Sequence, residues 1–117
     1  MILLEMPWGR DKDPRVPLGH ASLQASLWKF GKGEIVSMVS PINDSKTTPK
    51  TLNREIMRIA GSRTDVDLAI GAYVWAEDVL KRLLALVRAS GFSGRIILGG
   101  PQISYTPDGL EELYPEA

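Results

Sequence analysis

The chain contains no cysteine, and that one absence excludes disulfide bridges, cysteine-ligated zinc, a thiol nucleophile and iron–sulfur ligation. It carries no excess of charge either. Lys plus Arg and Asp plus Glu both number 14, so the chain offers no electrostatic footprint for nucleic acid or an anionic membrane, and a neutral ligand or a protein surface is the expected partner. No apolar run approaches the roughly 20 residues that span a bilayer. The N-terminal run Met1-Ile2-Leu3-Leu4 is broken by Glu5 and Pro7 before it reaches the length of a signal peptide's apolar region, and a cytoplasmic location is expected. Internal repeats, low-complexity tracts and linkers are also missing.

What is present is an alternation of apolar runs with amphipathic segments over 117 residues, a length that suits one domain with a sheet between helix layers. Four strands are expected: Ile2 to Met6, Glu34 to Ser40, Val66 to Trp75, and Arg95 to Leu98. Between them, Gly19 to Phe30 presents Leu23, Leu27 and Phe30 at helical spacing, with Ala21 and Ala25 nearby, a face suited to packing on a sheet. Thr48 followed by Pro49 reads as an N-cap with proline at the first helical position, and Leu52, Ile56 and Ile59 supply the apolar stripe of a second helix. From Ala76 to Ser90, Val79, Leu80, Leu83, Leu84, Leu86 and Val87 form a broad stripe, flanked by the favourable pairs Glu77–Lys81 and Asp78–Arg82. Gly91 ends that helix, and Thr106-Pro107 opens a short last one through Leu113. The expected fold is α/β, a flavodoxin-like (Rossmann-like) doubly wound parallel sheet with four strands present and a fifth expected beyond them.

Ligands of open α/β sheets bind beyond the carboxyl ends of the strands, where helix N-termini and free backbone amides face outward. The loops to inspect are therefore Pro7 to His20 (with Gly9, Pro14 and Pro17), Pro41 to Thr48, Tyr73 to Glu77, and Gly99 to Thr106. Gly99-Gly100-Pro101 either lets a bulky ligand approach the backbone or is a tight turn before proline. Trp75, at the end of the third strand, is either a core aromatic or a flat surface for a planar group, and strand periodicity sets Tyr73 on the same face. His20 has three readings: metal ligand, phosphate contact, or solvated helix-start residue, the last being the common case. The acids Glu111-Glu112 and Glu77-Asp78 and the basic Lys81-Arg82 read as solvated helix faces, because neighbours on a helix do not converge.

In this order and spacing, Ile70-Gly71-Ala72-Tyr73-Val74-Trp75, a charged helix start and Ile97-Leu98-Gly99-Gly100-Pro101-Gln102 resemble the cobalamin-binding domain at the N-terminus of radical S-adenosylmethionine enzymes. Pro17-Leu18-Gly19-His20-Ala21-Ser22-Leu23 is similar to the entry to that family's first helix. The likeness spans essentially the whole chain, with Asp67 to Pro115 carrying most of it. It implies cobalamin lying across the carboxyl edge of the sheet, its nucleotide tail extending toward Gly99-Gly100. The binding residues it implies are Leu18, Gly19, His20, Gly71, Ala72, Tyr73, Val74, Trp75, Gly99, Gly100, Pro101, Gln102 and Ser104.

Two departures qualify the likeness. Cobalamin domains of the methionine synthase type carry Asp-x-His-x-x-Gly after the first strand, whereas here Leu18 stands two residues before His20. The resemblance therefore implies cobalamin bound base-off without histidine on cobalt, with Trp75 or neighbouring loop residues toward its lower side. That class also uses Ser-x-Leu at the end of the third strand, which here reads Gly71-Ala72-Tyr73, so one hydrogen bond to the nucleotide tail is either absent or comes from elsewhere, with Ser104 and Gln102 as candidates. In the parent enzymes a C-terminal radical domain, with S-adenosylmethionine and a [4Fe-4S] cluster, takes hydrogen from the substrate, and methylcobalamin donates the methyl group. With no cysteine, this chain is expected to supply the cobalamin cradle alone and to be a fragment of a larger methyltransferase.

Three rivals share the topology. A receiver domain needs clustered acids at the first strand's end and an aspartate at the third's, where this chain has Glu5-Met6-Pro7 and Tyr73-Val74-Trp75. A flavin or dinucleotide binder wants a Gly-rich or hydroxyl-rich loop after the first strand, where Pro7 to Pro17 is rich in charge and proline. A sugar-nucleotide-binding module is the runner-up, since Gly-Gly-Pro loops occur there too.

Overall fold

The computed structural model describes residues 1–13, 17–106 and 108–117; Pro14 and Pro107, named above as loop and helix-start prolines, lie outside them. Four parallel strands, β1 (Ile2–Glu5), β2 (Val36–Val39), β3 (Leu68–Gly71) and β4 (Ile96–Gly99), form one sheet in the order β2-β1-β3-β4. With the helices α1 (Leu18–Phe30), α2 (Pro49–Ala60) and α3 (Glu77–Ala89) joining them, this is the flavodoxin-like doubly wound arrangement that the alternating pattern implies.

The first three strands are shorter than expected, and β4 is displaced by one residue, from Arg95 to Leu98 to Ile96–Gly99. The largest difference is at β3, which ends at Gly71, after which Val74–Ala76 forms a single 3₁₀ turn leading into α3. Trp75 therefore belongs to that turn and not to the strand, a correction to the periodic reading. A second correction concerns the chain after β4. The helix there starts at once, as α4 (Pro101–Ser104), with Pro101 at its first position, and is followed by a separate turn, α5 (Leu110–Leu113), behind Gly109 at φ 77°. Proline at the first helical position is favoured because it has no N–H to leave unpaired.

The two faces of the sheet differ. Ile2, Leu4, Leu68, Ile70 and Ile96 point toward α2 and α3, where they are buried with Leu52, Ile56, Leu80, Leu83, Leu84 and Val87. Local rules hold on this side. Thr48 caps α2, its side chain accepting from the Thr51 N–H at 3.1 Å, and α3 carries both expected ion pairs, Lys81–Glu77 at 2.8 Å and Arg82–Asp78 at 3.3 Å.

Alternation puts the other half of each strand under α1: Ser37, Leu3, Ala69 and Ile97 in one row, and Val39, Glu5, Gly71 and Gly99 in the next, nearer the carboxyl edge. The expected packing of α1 on this face is not found. His20 is its only buried residue, and Leu23 and Phe30 of the supposed packing stripe are 56% and 76% exposed. The reason lies in the sheet: Ala69, Gly71 and Gly99 offer almost no side chain, so α1 spans a gap it cannot fill.

Candidate functional site

The gap under α1 is a crevice of about 330 Å³. Its long walls are apolar, Leu23 and Leu27 of α1 facing Leu3, Ala69 and Ile97 of the sheet. At the carboxyl end it is bounded by Gly71, Gly99 and Gly100, by Gly19, and by the side chains of Glu5, His20 and Tyr73. The glycines shape this end differently. A Cβ on Gly99 would meet nothing within 4 Å, one on Gly71 would collide with the Glu5 carboxylate, and Gly100, at φ 101°, turns so that a Cβ would lie 2.9 Å from the Ala72 carbonyl oxygen.

Glu5 is the charged residue inside the first strand's apolar run. It is 5% exposed, and the Tyr73 phenol donates a hydrogen bond to its carboxylate. Burial raises the Glu5 carboxyl above the usual range and the tyrosine bond opposes that rise, while burial together with Glu5 pushes Tyr73 up to about 12. The sequence had not singled out Glu5. The signal available was its position, two residues from Leu3 and out of phase with Ile2, Leu4 and Met6.

His20 is corrected from a solvated helix-start residue to a buried one. Only 1% of it is exposed, its Nε2 lies 2.7 Å from the Ser37 hydroxyl on β2, and its Nδ1 is buried without a partner. Burial lowers its pKa from the ordinary 6.5. Since the folded value is depressed, the neutral ring's contribution to stability is complete above 6.5 and is lost as pH falls through the folded value. The stability advantage of wild type over His20→Gln, measured by urea unfolding, is expected to shrink between about pH 7 and pH 5; a difference constant across that range would show that His20 does not titrate with unfolding.

The Tyr73 ring stacks on Trp75, with centroids 4.7 Å apart and planes 12° from parallel. The Trp75 Nε1 donates to the Met6 carbonyl at 3.1 Å, pinning the indole over the end of β1 with 47% of the residue exposed. The two rings do meet, but through the 3₁₀ turn and not through strand periodicity. Behind them, Tyr73, Val74, Trp75, Pro101, Gln102 and Tyr105 border a second, open cavity of about 480 Å³. Tyr73 borders both cavities, and the turns that carry it and Gly100 are tied together by Ala72 N–H to Gly99 C=O at 2.7 Å and Gln102 N–H to Ala72 C=O at 3.3 Å.

Of the residues expected to bind a ligand, Gly19, His20, Gly71, Tyr73, Gly99 and Gly100 line the crevice, and Val74, Trp75, Pro101 and Gln102 line the open cavity with Tyr73. Ala72 is buried between them and acts through its backbone bonds. Leu18 instead borders a cavity between the β1 and β2 loops, and Ser104 borders neither of the two. The hydroxyl that reaches the crevice is that of Tyr73, and the Gln102 amide points instead toward Glu77 at 3.5 Å. Among the described residues no three His, Asp or Glu side chains converge as a metal site, and no helix is long and apolar enough to cross a membrane. Comparison with protein-family models, curated proteins and solved structures returns no match.

Proposed function

We propose that this domain holds cobalamin across the carboxyl edge of its sheet. The observation that carries the reading is the pairing of a slender crevice, entered beside Gly71, Gly99 and Gly100, with an open cavity floored by stacked aromatic rings, the two sharing Tyr73. A flat macrocycle with a narrow tail requires such a pair. The open cavity would take the ring, with Trp75, Val74, Pro101 and Gln102 around it, and the crevice would take the nucleotide tail. Two features of the residues fit that tail: open space over Gly99 where any side chain would project, and a buried, unpartnered His20 Nδ1 at the wall.

When bound, cobalamin would supply a methyl group on cobalt for transfer to a substrate carbon. The chain's own contribution is to bind, orient and shield it. With no cysteine to ligate a cluster, the radical chemistry of a methyltransferase of this kind would come from a radical S-adenosylmethionine domain C-terminal to this one.

Purified chain mixed with hydroxocobalamin is expected to keep its colour through desalting and to show a base-off visible spectrum. A colourless protein and an unchanged cofactor spectrum would contradict the reading. Trp75→Ala is expected to weaken retention at least tenfold and to alter the bound spectrum. His20→Ala should do so less, because its ring lies under α1, away from the open cavity. Equal affinity and spectrum for wild type and Trp75→Ala would remove the indole from the site.

A further inference from the structure

The carboxyl end of the crevice carries one charged side chain, and it is acidic. Among the described residues no Lys or Arg side chain lines the crevice, its one charged side chain is Glu5, and the N-terminal ammonium of Met1, which also borders it, donates to the Glu34 carbonyl at 2.8 Å. That carboxylate lies almost wholly out of water and accepts a hydrogen bond from Tyr73. Gly71 leaves the space that the carboxylate occupies, since a Cβ there would collide with it. Opposite, His20 is engaged by Ser37 through Nε2 and presents no counter-charge, because burial favours the neutral ring.

We propose that Glu5 is a specificity-determining residue: with Tyr73 it gives an otherwise apolar crevice an acidic end that admits an uncharged ring system and turns away an anionic group. This rests on the reading that the crevice receives the tail of a bound cofactor, and it deepens that reading by assigning which part enters. The heterocyclic base lies between Leu23, Leu27, Ala69 and Ile97, and the phosphate stays outside at the carboxyl edge. The same chemistry disfavours a nucleotide whose phosphates seek the glycines, since anion sites are built from cations, helix N-termini and amide nests. Here Gly71 of β3 faces a carboxylate.

Two pairs of probes test the assignment in the full chain: hydroxocobalamin against cobinamide, which lacks the nucleotide, and the free ribonucleoside of dimethylbenzimidazole against its 5′-phosphate. Binding is followed by quenching of tryptophan fluorescence in wild type, Glu5→Gln and Tyr73→Phe, with circular dichroism confirming that each variant folds. Wild type is expected to bind the nucleoside at least tenfold more tightly than its phosphate. Glu5→Gln should reduce that preference to threefold or less by improving phosphate binding, and Tyr73→Phe, which removes the bond that holds the Glu5 carboxyl down, should narrow it less than Glu5→Gln does. Equal binding of nucleoside and phosphate by wild type, an unchanged preference in Glu5→Gln, or no nucleoside binding in a chain that binds cobalamin and cobinamide alike would overturn the role of Glu5 and leave the cofactor reading standing. Failure of all four probes to bind would overturn both.

Discussion

Gly99→Leu is expected to fold like wild type and to lose cobalamin. The position is in β4, its backbone needs no left-handed conformation, and a Cβ there meets nothing within 4 Å. Replacing glycine in a strand removes conformational freedom from the unfolded chain, so the thermal midpoint should hold or rise slightly. The new side chain projects into the mouth of the crevice beside Gly71 and Gly100. Loss of the tail's place is expected to weaken hydroxocobalamin at least a hundredfold, about 2.8 kcal/mol, and to weaken tail-less cobinamide little. The neighbouring glycines give less clear experiments: a side chain at Gly71 displaces Glu5, and one at Gly100 strains a turn at φ 101°. Unchanged cobalamin affinity in Gly99→Leu would show that nothing enters the crevice.

Leu83→Ala should do the reverse, unfolding the domain early while sparing the site. Leu83 is fully buried on α3, within the cluster that packs α2 and α3 on the far face of the sheet. Removing three heavy atoms from such a place leaves a cavity as well as a transfer loss, and costs about 2–5 kcal/mol. For a domain of this size that lowers the midpoint by on the order of 10 °C. Cofactor affinity well below the transition is expected to stay within about twofold, because the crevice lies on the opposite face and distant sites act independently. A loss under about 1 kcal/mol would show that the α2–α3 face is not the core.

The contrast between those two substitutions shows what the amino-acid pattern could disclose. The side packed by α2 and α3 was legible, because local rules and packing agree there: Thr48-Pro49 starts a helix, Leu80, Leu83, Leu84 and Val87 form one stripe, and the charged pairs fall outside it. The glycine loop was legible as a feature, and its neighbours across the sheet followed from the parallel order.

The side under α1 was not. Leu23, Leu27 and Phe30 have the spacing of a packed stripe, and only the pairing of strands reveals that Ala69, Gly71 and Gly99 share the surface beneath and leave it hollow. Glu5 could be seen as a break in an apolar run, but its burial and its bond to Tyr73 depend on contacts 68 residues apart in sequence, across two strands. His20 likewise depends on Ser37 of β2, and Trp75 on the Met6 carbonyl of β1, and neither partner is indicated by the local sequence around it.

The most direct measurement is a heteronuclear NMR titration of the labelled chain with hydroxocobalamin, read at backbone amides and tryptophan indoles. Cofactor in the crevice and open cavity together should move the amides of Gly71, Tyr73, Gly99 and Gly100 and the Trp75 indole Nε1–H, leaving α2 and the outer turns of α3 in place. Shifts confined to surfaces away from the carboxyl edge, or none at saturating cofactor, would contradict a cobalamin cradle at this end of the sheet.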